Sequence, residues 1–394
     1  MAETATARKA RPPLLRDVRF LRVLGQAAFV VALVLVLREI FLNLQFGLER
    51  QGLDLEFEFL RQRAGFGIKE GISYNPNQSY IRAIQVGIVN TIRAAGVGIV
   101  LASVLGLVMG VARLSPNWLV RKLAQVYVEI FRNTPLAVQI FFWYFGVVLL
   151  LPAIEGGVSL WDVGFISNRG AAIPWPRSRE GAGTWLLFLL AGILAAWVVR
   201  RWRTRVSDRT GRPHHRFLWA AGTFLAFGVF GYVVAGTPIG VDIPEATGRG
   251  YEGGFELSPE FAALLIGLVV YTGAFIAEII RGSILAVEKG QKEAAEALGM
   301  APRQQLRFVV LPQAMRIAIP PLNSQYLNLT KNSSLAVLIA YPDLLFVSRT
   351  IANQAGRATQ VLLIAMGTYL TLSLIISFFM NLINRAVTRK GARR

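Results

Sequence analysis

Apolar runs of about 18 or more residues recur along this sequence, and each is long enough to cross the hydrocarbon core of a bilayer as a helix. This feature decides most of the fold. Inside a bilayer every backbone N–H and C=O must find an internal partner, so only helices and closed barrels can cross it. The alternating pattern of a barrel strand, about ten residues long, is absent here. The 394 residues are therefore read as an all-α, polytopic integral membrane protein. Soluble domains are about 45–50% apolar; this chain is 54% apolar, with a mean hydropathy of +0.48.

About eight spans fit the hydropathy, near 22–42, 85–112, 122–151, 184–200, 216–236, 258–281, 314–341 and 360–385. The basic N-terminus (Arg8, Lys9, Arg11, Arg16, Arg19, Arg22) leads into the first of them. No small-residue cleavage site follows, so this is read as an uncleaved span and not a signal peptide. Cytoplasmic loops carry an excess of Lys and Arg. With both termini placed in the cytoplasm, 27 of the 42 Lys and Arg fall inside and 11 outside, although the outside segments are longer. A net charge of +19 would suggest nucleic acid in a soluble protein. Here the charges follow topology, so the expected surroundings are lipid and no nucleic acid. The absence of cysteine excludes disulfides, thiolate nucleophiles and Cys-ligated metals.

Three regions follow. Residues 1–84 hold the cytoplasmic N-terminus, the first span and an outer segment of mixed charge (Glu49, Asp54, Glu56, Glu58, Arg61, Arg63) with a turn at Tyr74-Asn75-Pro76-Asn77. Residues 85–390 form the main transmembrane domain, interrupted at 152–257. That interruption combines Gly- and Pro-rich outer loops (Gly156-Gly157, Pro174-Trp175-Pro176) with an Arg-dense inner loop (Arg200 to Arg212) and reads as a two-span insertion. Removing two spans preserves orientation and leaves a five-helix unit.

A polar insert lies between two apolar segments: Glu293-Ala294-Ala295-Glu296-Ala297-Leu298-Gly299, then after a spacer Val309-Val310-Leu311-Pro312. A short helix bearing Ala294, Ala295 and Ala297 offers a thin face that another backbone can approach. Gly299 suits a left-handed cap, and Pro312 suits a helix start. The pattern resembles the EAA loop of bacterial ABC importer permeases, with Val309 where isoleucine is usual. The resemblance covers roughly 85–390, interrupted by the insertion, and assigns Glu293, Ala294, Ala295, Gly299, Leu311 and Pro312 to ATPase coupling.

Two further stretches resemble signatures of the polar amino-acid branch of that family. Arg132, Thr134, Pro135, Leu136 and Gln139 match R-x-T-P-L-x-x-Q. Glu129 shares a helix face with Arg132 and is placed to pair with it. The pair serves either a kink at Pro135 or the substrate pathway. Lys331-Asn332-Ser333-Ser334-Leu335 sits about 24 Å along its span. Four polar residues in a row suggest an interrupted helix that lines a cavity or a packing knot of small polar groups; a cation there suits a carboxylate. On the second span, Asn90, Thr91, Gly96, Gly98 and Gly106 read as close-packing positions, with a substrate contact the alternative reading of Asn90. His214 and His215 lack a third ligand type nearby, and no metal is expected.

There is no G-x-x-x-x-G-K-[ST], G-x-S-x-G or H-E-x-x-H, so no enzyme signature is present. A secondary transporter would show a repeat relating two halves and would leave the polar insert without a purpose. The resemblance implies a type I ABC importer permease for L-amino acids, similar to the larger membrane subunit of general L-amino-acid importers. Another small polar solute is the alternative cargo. The resemblance further implies cytoplasmic ATPase subunits that hold ATP and Mg, a second homologous permease in a heterodimer, a periplasmic amino-acid-binding protein, and the bacterial inner membrane.

Overall fold

The computed structural model of the chain describes residues 18–50, 56–154, 157–160, 163–211, 215–247 and 250–392. Arg8, Lys9, Arg11, Arg16, Asp54, Gly156, Arg212 and His214 lie outside the described residues.

The core is built on two long apolar helices, α2 (Tyr80–Ala112) and α7 (Pro259–Leu285). Each starts at a serine cap: Ser79 Oγ accepts from the Arg82 N–H, and Ser258 Oγ from the Phe261 N–H at 3.0 Å. The two helices touch where α2 has no side chain. A Cβ on Gly106 would lie 2.5 Å from Ile276 Cβ, and one on Gly110 would lie 2.7 Å from the Ala277 carbonyl. With lipid outside as apolar as the core, close backbone approach supplies the attraction. Gly98 packs on Leu329 as expected, but Gly96 faces open space. Buried Leu264, Leu268, Ile276, Leu329 and Ile140 fill the centre.

Six helices are long and apolar enough to cross a membrane among the described residues, and two bent pairs raise that number to eight if each crosses as a unit. The six are α1 (Val18–Arg50), α2, α5 (Ala182–Thr210), α6 (Arg216–Val234), α7 and α12 (Ala358–Ala392). The expected span at 122–151 is not one rod. It breaks by 106° between α3 (Trp118–Asn133) and the segment 136–150, which opens with α4 (Leu136–Phe141). Thr134 (φ −99°, ψ 129°) and Pro135 (φ −57°, ψ 135°) are both extended. A proline clashes with a helical residue before it, which disfavours α geometry at Thr134. Helix α3 is amphipathic, burying Ala124 and Val128 while exposing Arg121, Lys122, Glu129 and Arg132.

The expected span at 314–341 corresponds to α10 (Leu311–Asn332) and a 3₁₀ segment, Ser333–Ile339. The stretch beyond it, read as an outer loop, contains α11 (Leu344–Ala355), at 52° to what precedes it. Asp343 caps α11 by accepting from the Phe346 N–H at 2.8 Å.

The stretch expected as a two-span insertion holds two helices, α5 and α6, but the loops expected outside carry strands. β1 (Val158–Leu160), β2 (Gly164–Ser167), β3 (Gly170–Ile173) and β8 (Phe255–Leu257) form one antiparallel sheet in the order β1-β2-β3-β8. β4 (Trp175–Ser178) pairs with β5 (Ile239–Asp242), and β6 (Glu245–Thr247) with β7 (Gly250–Glu252). β8 runs directly into the Ser258 cap, so this sheet is fixed to the start of α7. Helix α5 extends beyond the expected 184–200, and Arg200, Arg201, Arg203, Arg205 and Arg209 stand on it instead of in a loop. It packs on α6 through Gly192 and Gly231, and Trp185 Nε1 donates to the Gly228 carbonyl at 2.9 Å.

Candidate functional site

The polar insert forms α8 (Lys289–Ala297), just beyond the C-terminal end of α7. It ends in a Schellman motif: the Gly299 N–H donates to the Glu296 carbonyl at 2.8 Å and the Met300 N–H to the Ala295 carbonyl at 3.1 Å. Gly299 has φ +72°, the left-handed value its position in the sequence suggests. The thin face differs from expectation. Ala295 is buried and faces the chain's own interior, whereas Glu293, Ala294, Ala297 and Leu298 are exposed. Leu298 is 77% exposed. Pro312 is the second residue of α10 but does not begin the helical run, which starts at α9 (Pro302–Gln305) and passes through a π segment, Leu306–Val310. The wider π turn precedes the proline, which has no N–H to donate backwards. Val287, Val310 and Ala314 bury together and hold the base of this loop.

At the same end, α2 and α7 are joined by a network that sequence reading missed. Glu278 accepts from Arg113 and from Arg281, with all three side chains mostly shielded. A glutamate in an otherwise apolar span was the available signal, since such groups demand partners.

The break in the third span explains its own signature. Pro135 has no N–H, so the Phe131 carbonyl lacks its helical donor. Gln139 Nε2 donates to that carbonyl and to the Thr134 carbonyl, each at 2.9 Å, while Thr134 Oγ1 donates to the Ile130 carbonyl at 2.9 Å. The expected Glu129–Arg132 pair does not form. Glu129 accepts from Asn133 at 3.3 Å, and Arg132 lies 5.2 Å from the Phe275 ring centroid. At the 122–151 turn, then, Thr134 and Gln139 are committed to backbone, while Arg132 stays exposed.

Asn90 is fully buried: its Nδ2 donates to the Glu70 carbonyl at 3.2 Å and the Pro342 carbonyl at 2.9 Å, while its Oδ1 is buried without a hydrogen-bond partner. Thr91 Oγ1 accepts from the Leu344 N–H at 3.0 Å. The polar run on α10 lies where the helix tightens from α to 3₁₀ at Ser333. Ser333 is buried, its hydroxyl donating to the Thr330 carbonyl at 2.8 Å, and Ser334 donates to the Lys331 carbonyl at 2.7 Å. These hydroxyls take up carbonyls at the transition. Lys331 is exposed and Asn332 half-buried.

A cavity of about 770 Å³ lies at the other end of α7. Helix α7 has 27 residues, so α8 and this cavity are separated by about 40 Å. Arg93 from α2 enters it, flanked by the rings of Phe255 and Phe261 at 4.6 and 4.5 Å. Glu70 also lines it. Burial pushes its carboxyl above the usual range, with Ser258 and Arg93 opposing. No motif pointed to either residue, because they are 23 positions apart and only the fold brings them together.

Residues 189–389 match the family described as "Binding-protein-dependent transport system inner membrane component". The chain is 42% identical over 369 residues to the General L-amino acid transport system permease protein AapQ of Rhizobium johnstonii, covering 93% of this chain and 92% of that one. It is 37% identical over 417 residues to the Glutamate/glutamine/aspartate/asparagine transport system permease protein BztB of Rhodobacter capsulatus, covering 96% of each. The chain belongs to the family of inner-membrane components of binding-protein-dependent transport systems, and is a transport component rather than an enzyme.

Proposed function

We propose that the chain is the membrane-spanning permease subunit of an ABC importer that carries L-amino acids into the cell. The observation that carries the coupling role is α8: a short exposed helix with a fixed left-handed end, anchored at its base, presenting Leu298 to solvent. An ABC ATPase is the partner the family implies. The amino-acid cargo is supported by what the two relatives are named for.

In this reading both termini and α8 face the cytoplasm, and the strands of the insertion face the periplasm. A second, homologous permease pairs with this chain, and a binding protein delivers cargo from outside. ATP and Mg stay on the ATPase. Closing of the ATPase dimer displaces α8, and α7 and α10 move with it because Val287, Val310 and Ala314 pack together. Purification of the detergent-solubilised complex tests this. Recovery of an ABC ATPase, lost with changes at Leu298, is the expected result; a chain that purifies without any ATPase would refute it.

A further inference from the structure

The cavity at the start of α7 has a composite wall. Arg93 comes from α2, Glu70 from the outer segment before it, Pro342 from the turn before α11, and Phe255 and Glu256 from β8 of the insertion. Its volume of about 770 Å³ falls within the roughly 300–1,000 Å³ of small-molecule sites.

Two groups in it have unused capacity. The Arg93 guanidinium lies over two aromatic faces, Phe255 and Phe261, and it makes no ion pair among the described residues. A guanidinium presents paired donors that fit a carboxylate. Glu70 uses one oxygen to accept from the Ser258 N–H at 3.3 Å, while its Oε2 is buried without a hydrogen-bond partner. A buried carboxylate oxygen with no donor is costly and is relieved by an incoming N–H. The two groups do not satisfy each other, since Arg93 and Glu70 form no salt bridge. Around them Lys69, Arg169, Glu256 and Glu260 supply charges of both signs, with Glu260 already accepting from Tyr144 at 3.0 Å.

We infer that this cavity is a receiving station for a free amino acid, with Arg93 taking the α-carboxylate and Glu70 the α-ammonium. The inference rests on the amino-acid reading above. Both fixed charges recognise what every amino acid shares, and the mixed charges around them tolerate acidic, amide and neutral side chains alike. The insertion thereby has a purpose: β3 and β8 roof the station and supply the ring of Phe255 over which Arg93 lies. A zwitterion released at the outer face would be oriented here before entering the membrane path.

The test uses the complete complex in proteoliposomes, with radiolabelled L-glutamine as cargo and two competitors. One competitor is the decarboxylated amine of glutamine; the other is its des-amino acid. The wild-type complex should reject both. Arg93→Gln and Glu70→Gln should each raise the KM for L-glutamine by at least tenfold. Arg93→Gln should also let the amine compete as well as the amino acid, and Glu70→Gln should do the same for the des-amino acid. That exchange of preference is something a merely structural role would not produce. Arg93→Lys and Glu70→Asp keep the charge and should recover part of the loss. Unchanged KM in both glutamine variants would overturn the station, as would a loss of uptake with no change in competitor preference. A wild-type complex that takes up no amino acid would instead refute the amino-acid reading itself.

Discussion

Replacing Gln139 with leucine should destabilise the protein without altering what it transports. Its side chain is only 4% exposed and closes the break at Thr134-Pro135 with two hydrogen bonds of 2.9 Å. Leucine has nearly the same volume and no donor, so the Phe131 and Thr134 carbonyls lose their partners. Each unsatisfied buried carbonyl costs about 1–3 kcal/mol. Gln139 Oε1 is itself buried without a partner, and its removal returns about 1 kcal/mol. The net loss is about 1–5 kcal/mol, a fall of about 2–20 °C in the unfolding midpoint by the scaling for medium-sized domains. The measurement is a thermal-unfolding scan of the solubilised complex, beside uptake at a low temperature where the variant is folded. Gln139→Glu should do at least as much damage, because an ionised carboxylate cannot donate. Wild-type midpoints in both variants, or a changed KM with an unchanged midpoint, would show that Gln139 acts on the pathway and not on the break.

Gly299→Asp places a side chain at φ +72° and a charge on the exposed end of α8. The backbone term alone is about 1 kcal/mol, and substrate-stimulated ATPase activity should be lost while the spans remain inserted; normal stimulation refutes the coupling role. Topology reporters at Arg209 and Gly299 should read cytoplasm and one at Glu252 periplasm, and a cytoplasmic signal at Glu252 would break the two-span insertion. Lys331→Met should abolish uptake by an assembled complex, since the Lys331 side chain is exposed while its neighbours Ser333 and Ser334 are bound to backbone; full uptake refutes a role in the pathway. Because burial raises the Glu70 carboxyl while Arg93 and Ser258 lower it and Glu260 raises it, and because only the ionised form holds an ammonium, uptake should decline with falling pH earlier than for an ordinary carboxylate. Glu70→Gln should flatten that decline, and an unchanged pH profile in this variant refutes it.

Hydropathy made the helices legible because period and length are local properties. Six of the expected spans appear as continuous helices, and even the arginines of α5 were misplaced only by the helix running one further stretch, to Thr210. The bends were harder. Pro135 announced a kink, but a 106° turn needs the extended backbone of Thr134 as well, which composition alone does not reveal. The sequence of α11 reads as loop because it mixes Arg349, Asn353 and Gln354 with apolar residues, and its packing on α2 and α12 accompanies the helix. The strands between 158 and 257 are three or four residues long, too short for an alternating pattern to register. Arg93 and Glu70 belong to no motif; a charge inside the 85–112 span singles out Arg93, but its relation to Glu70 and Phe255 exists only in the folded chain.

Motif matches located the unusual backbone more reliably than they located the cargo. At each signature the structure shows a helix leaving regular geometry: a turn at Pro135, a 3₁₀ transition at Ser333, a left-handed cap at Gly299. At the first two a polar side chain takes up a carbonyl, Gln139 that of Phe131 and Ser333 that of Thr330, while the third closes on backbone alone, Gly299 to Glu296 and Met300 to Ala295. Such residues are required wherever the bend is required, whatever passes through the membrane. Groups free to meet an amino acid must therefore be those the backbone has not claimed, and among them Arg93, Arg132 and Lys331 are cations with no ion pair in the described structure. Arg93 alone of the three lies in the large cavity together with a carboxylate that also has an oxygen to spare. A zwitterion needs both charges in one place, and the mouth beside β8 offers them together where the C-terminal end of α10, with Lys331, offers a cation alone.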